Sequence, residues 1–137
     1  MREVLKKCFA TVMLLVIVFT MNVFAYDTGT GTVKVPTGST FVVAKTKIKR
    51  SLAYDYAIVK ANSVYPTGEG KTDTYKKCKT RLYYGDKAIS GEVTLTEGEL
   101  THVKIYNGQL NRPTFQIRFA GNNPNLPAYV AYYYNGK

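Results

Sequence analysis

Residues 72–84 read TDTYKKCKTRLYY, and their alternation decides the fold class. Cys78, Thr80, Leu82 and Tyr84 fall on one side of an extended chain, with Tyr75, Lys77, Lys79, Arg81 and Tyr83 on the other. Side chains change face at every residue only in a β-strand, so a stretch with one apolar and one cationic side belongs half-buried in a sheet. The same period of two recurs upstream and downstream, and no helical period appears after residue 25.

Upstream, residues 53–65 are rich in β-formers (Tyr54, Tyr56, Ile58, Val59, Val64) and end in the turn cluster Pro66-Thr67-Gly68-Glu69-Gly70. In 40–50, Val42, Ala44, Thr46 and Ile48 alternate with Phe41, Val43, Lys45, Lys47 and Lys49, which predicts one core face and one face bearing three lysines. A short strand over 32–35 is closed by Pro36-Thr37-Gly38, and the Thr- and Gly-rich segment before it reads as a mobile leader.

Downstream, Gly85-Asp86 turns the chain into a fifth strand whose inward set is Ile89, Gly91, Val93 and Leu95. Val103 and Ile105 mark a sixth, followed by Asn107-Gly108, a two-residue turn signal because both residues tolerate positive φ. Pro113 opens a seventh, with Phe115, Ile117 and Phe119 inward and Gln116 and Arg118 outward. A loop over 121–127 leads to a last aromatic strand over 128–134. Eight short strands separated by turns predict an all-β, antiparallel two-sheet β-sandwich, immunoglobulin-like or jelly-roll-like, with a small closed β-barrel as the alternative. Local pattern leaves the strand order open.

Residues 1–25 read as a cleavable secretory signal peptide. Arg2, Lys6 and Lys7 precede an uncharged apolar run from Cys8 to Phe19, and Val23 and Ala25 suit the cleavage point. That run is shorter than the roughly 20 residues a spanning helix needs, so no transmembrane span is expected after cleavage. The remaining 26–137 is expected to be one secreted, extracellular domain with 16 basic and 8 acidic residues, about +8 in all. All 12 tyrosines lie in it, and Cys78 is its single cysteine. No internal disulfide can form, and Cys78, on the apolar side of its strand, is expected to be a small core residue, with an intermolecular bridge as the alternative.

Catalytic chemistry has little to build on. His102 is the only histidine and is expected to face solvent, on a side opposite to that of Cys78. The acids Asp27, Asp55, Glu69, Asp73, Asp86, Glu92, Glu97 and Glu99 lie mostly in turns, and no phosphate-cradling glycine loop or metal-ligand spacing is present. The protein is expected to be non-catalytic and to need no cofactor or metal.

The surface carries the functional reading. Lys45, Lys47 and Lys49 share one strand face, Lys77, Lys79 and Arg81 another, and Tyr75 and Tyr83 flank the second row. If the two strands are neighbours, six cations form one patch fit for an anionic cell-wall polymer, a glycan or an extracellular protein, with no specific nucleic acid expected. The competing reading is that strand-face lysines protect edges and keep the protein soluble. A second candidate is the segment from Asn122 to Tyr134, where amides and tyrosines suit sugar recognition, although alternate tyrosines must pack inward.

The leader, the Lys and Tyr content and the ending Tyr132-Tyr133-Tyr134-Asn135 resemble small exported bacterial β-sandwich proteins, among them lactococcin-like bacteriocins. The resemblance follows no continuous motif and transfers no functional residue. It implies action at a competitor's cell envelope, so a secreted antagonist, either a toxin or an inhibitor of an extracellular enzyme, is the alternative to a binding module.

Overall fold

The computed structural model describes residues 25–67, 76–122 and 126–137. The expected signal peptide, apart from Ala25, lies outside the described residues, as do Tyr75 and the loop residues 123–125. No described helix is long and apolar enough to cross a membrane.

Among the described residues nine strands form: β1 (Thr28–Val35), β2 (Val42–Lys49), β3 (Tyr56–Pro66), β4 (Lys77–Tyr84), β5 (Lys87–Ala88), β6 (Val93–Thr96), β7 (Leu100–Lys104), β8 (Thr114–Gly121) and β9 (Ala128–Asn135). One sheet has the order β1-β9-β3-β7; the other runs β2-β8-β4-β5, with β6 also paired to β4. Every pairing is antiparallel. The sheets pack face to face and are not closed into a barrel.

The pairing follows from folding the chain as one long hairpin: β1 meets β9, β2 meets β8, β3 meets β7, and β4 meets β5 and β6. Rolling that hairpin sets β9 beside β3 and β8 beside β4. This is jelly-roll order and excludes the immunoglobulin-like alternative.

Between the sheets, Phe115, Ile117, Phe119, Leu82, Cys78 and Leu95 face Val59, Ala57, Val103, Val130, Tyr132 and Tyr134. Burial of each large apolar side chain contributes about 1.5–3 kcal/mol. The two inward tyrosines fit because β1 carries glycine opposite each of them. A side chain at Gly29 would run into the Tyr134 ring, and one at Gly31 into the Tyr132 ring.

Several sequence expectations give way. The segment read as a mobile leader is most of β1: Thr28 to Thr32 pair with Asn135 to Ala131, and Asp27 is tied by its amide to the Lys49 carbonyl. The fifth strand is two, β5 and β6, because the chain between them leaves the ladder at Ser90, whose buried hydroxyl accepts from the Leu82 amide. Asn107-Gly108 makes no tight hairpin; it begins a short 3-10 turn that carries the chain from β7 in one sheet to β8 in the other. Tyr84, read as inward, is exposed at the end of β4, with the Arg112 guanidinium 4.4 Å from its ring centre. Gly85-Asp86 does turn the chain as expected, with Gly85 at φ 60 in the first turn position.

Strand β2 departs furthest from its pattern. Its register against β8 slips between Val43 and Lys45 and again between Lys45 and Ile48, so two extra residues are inserted and strict alternation fails. The first slip leaves Ala44 unpaired in the ladder, and its carbonyl accepts the Tyr132 hydroxyl from the opposite sheet at 3.2 Å. At the strand's end Arg50 is almost fully buried and donates to the Leu110, Arg112 and Tyr54 carbonyls. Burial lowers its pKa, an effect partly offset by the charge of Asp55.

Candidate functional site

The outward residues of the β2-β8-β4 sheet make the candidate site, and β4 places its share as alternation predicts. Cys78, Thr80 and Leu82 are buried, whereas Lys77, Lys79, Arg81 and Tyr83 face out. Two of these cations are held by the protein. Lys79 pairs with Glu92 at 2.9 Å, and Arg81 donates through Nε to the Ser90 carbonyl at 2.9 Å. A further hydrogen bond from Arg81 to the Tyr106 hydroxyl raises its pKa.

The two lysine-bearing strands are not neighbours. Strand β8 lies between them, so the compact six-cation patch that adjacency would give does not form. Register also offsets the two rows. Lys79 lies level with Ala120, Arg81 with Arg118 and Tyr83 with Gln116, whereas Lys45 lies level with Ile117 and Lys49 with Thr114. The cations therefore run diagonally, from Lys77 and Lys79 at one end of β4, past Arg81 and Arg118, to Lys47 and Lys49 at the far end of β2. Eight residues of strand separate the ends, about 26 Å along the sheet.

Arg118, which sequence reading placed outward on the seventh strand but not in the site, is the link. It sits directly opposite Arg81, a like-charge pairing that costs stability unless other groups offset it. Here its guanidinium lies 4.0 Å from the Tyr83 ring centre, its Nε donates to Gln116 at 2.6 Å, and it reaches the Gly85 carbonyl and, at 3.6 Å, Asp86. Its position outside the core was legible in the alternation of 115–119. Its place between the two cationic rows required the strand order.

Beside this link, a groove of about 420 Å³ opens where β2 bulges away from β8, lined by Lys47, Thr46, Tyr83, Tyr84, Thr114 and Gln116 among others. Lys47 is the one described non-glycine residue with positive φ, at 52. A lysine held in the left-handed region carries backbone strain, and such strain concentrates where a side chain is aimed for a purpose. Lys45, Lys47 and Lys49 are exposed and have no ion pair among the described residues.

Cys78 and His102 do not meet. Cys78 is buried inside the β4 sheet, and burial pushes its thiol up to about 12. His102 is exposed on the outside of the other sheet, stacked on Tyr56 with ring centres 4.3 Å apart. In the carboxy-terminal candidate segment, Tyr132 and Tyr134 pack inward, and Tyr129 and Tyr133 face out. Among the described residues no three His, Cys, Asp or Glu side chains converge as a metal site would require. No family model, curated protein or solved structure matches the chain, so the arrangement of its side chains is what speaks to its role.

Proposed function

We propose that this protein is a secreted, non-catalytic binding module whose β2-β8-β4 face engages a linear anionic polymer of a cell envelope. The observation that carries the reading is the diagonal course of Lys77, Lys79, Arg81, Arg118, Lys47 and Lys49, with Tyr83 at its centre. A line of cations about 26 Å long suits an extended chain of phosphates or carboxylates better than a compact ligand. The internally paired Lys79 and Arg81 are fixed in position, and the exposed lysines of β2 are available to an incoming anion. The net charge of residues 26–137, about +8 from 16 basic and 8 acidic residues, draws such a polymer from a distance.

Retention of the purified protein on immobilised lipoteichoic acid tests the reading. It should fall steeply as salt rises, because contacts between exposed charges are screened over about 10 Å at 0.1 M salt. The Lys45→Ser, Lys47→Ser, Lys49→Ser triple variant should elute at clearly lower salt than the parent. Equal elution of the two, or no retention at low salt, would overturn the proposal. Growth inhibition of related bacteria without retention would instead favour the secreted antagonist.

A further inference from the structure

The outside of the other sheet differs in kind from the cationic face. Register aligns two rows across its four strands: Thr30, Tyr133, Lys60 and Leu100 in one, and Thr28, Asn135, Ile58 and His102 in the next. Between these rows lies a second groove of about 420 Å³, lined by Tyr133, Asn135, Thr30, Leu100 and Ile58, with Asn62 and Lys60 at its side. Asn62 enters through an irregularity. The β3 register slips between Ala61 and Ser63, which makes Asn62 the extra residue, outward and exposed beside Lys60 and without a partner residue on β9. Bulges are over-represented at sheet edges and next to functional sites. This one is held from behind, since the Glu97 carboxylate accepts the Val64 amide and the Gly98 amide donates to the Ala61 carbonyl.

From this we infer a second binding site, for an uncharged pyranose ring of a glycan. Such a ring offers a flat C–H face and a rim of hydroxyls. The first packs against aromatic and aliphatic surface, and the second pairs with groups that donate and accept at once. The groove supplies both. Tyr133 stands outward and half-buried, and Leu100 is 63% exposed, so the two together offer ring and aliphatic surface to the groove. The Asn135 amide is set in orientation, donating to the Tyr133 hydroxyl at 3.4 Å and accepting from the Lys137 amide at 2.9 Å. Its second N–H, the Asn62 amide and the Thr30 hydroxyl have no partner among the described residues and can serve the hydroxyl rim. Apart from Lys60 at its side, the lining is made of neutral amides, hydroxyls and apolar surface, which suits an uncharged ring. The site does not depend on the polyanion reading, and the two differ in salt response.

The test is an amide-resolved NMR titration of the isotope-labelled protein with cellotetraose, chitotetraose and mannotetraose, each at low and at high salt. At least one should shift the amides of Lys60, Asn62, Leu100 and Tyr133 equally at both salts. Tyr133→Ala should weaken that binding about tenfold. Asn62→Ala should weaken it as well, with the remaining amides of both variants unmoved. The inference is overturned by silence of these amides with all three sugars, by shifts that vanish at high salt, or by shifts that persist undiminished in both variants.

Discussion

Strands β2 and β4 start from the same kind of sequence and end differently. Each reads as eight residues with an apolar side and a row of three cations, and each pairs with β8. Strand β4 keeps unbroken register from Cys78 opposite Gly121 to Tyr83 opposite Gln116, whereas β2 slips twice within the same reach. The difference is position. β4 has partners on both sides and buries Cys78, Thr80 and Leu82, so a slip would expose an entire core set. β2 is an edge, where Val42 and Ala44 are only partly buried and Ile48 alone is fully buried; bulges there cost little and blunt an edge that could otherwise pair with another chain. Alternation is obeyed where burial enforces it and gives way where it does not.

The largest effect that would break this contrast is in the core. Leu82→Ala on β4 should destabilise the protein by about 2–5 kcal/mol in chemical denaturation, and Val42→Ala on β2 by roughly 1 kcal/mol or less. Similar losses at the two positions would mean that β2 is as constrained as β4.

Cys78 sharpens the contrast through pH. Its folded-state pKa is raised from 9.0 to about 12, so above pH 9 the unfolded chain loses the thiol proton while the fold retains it. The sign is therefore a loss of stability as pH rises between 9 and 12, up to about 1.4 kcal/mol per pH unit from this group. Thermal unfolding of the protein and of Cys78→Ala across that window should show the parent's stability falling more steeply. Parallel curves would mean the interior behind β4 admits water.

The smallest effect belongs to the second β2 slip. Lys47→Gly relieves a left-handed lysine and should stabilise the fold by about 1 kcal/mol, while removing one cation from the diagonal track. Added stability together with weaker retention on lipoteichoic acid would mark Lys47 as strained for binding. Lost stability would show that its side chain packs in the groove.

Phe115, Ile117 and Phe119 are buried, Gln116 and Arg118 face out, Val103 and Ile105 are buried, and Tyr132 and Tyr134 alternate inward, each as the period of two requires. Lys77, Lys79, Arg81 and Tyr83 share the outer face for the same reason. Thr28 to Gly31 read as a leader because Gly and Thr carry little apolar signal; they form a strand against β9, where glycine at 29 and 31 leaves room for the inward Tyr134 and Tyr132 rings. Arg118 became part of the site, and Asn62 part of the second groove, through pairings between distant segments.

Side-chain alternation is a local property. It carried the all-β class and most of the interior set, Cys78, Leu82, Val103, Phe115, Ile117 and Phe119 among them, but misplaced Tyr84 and Thr46, which are exposed. Only the assembled sheets fix the jelly-roll order, the insertion of β8 between the two cationic rows, the bulge that carries Lys47, and the meeting of Tyr133, Asn135, Asn62 and Leu100 outside the other sheet. Those outcomes depend on which strands lie side by side and in what register, and that choice is made by burial summed over both sheets, a quantity no single segment contains.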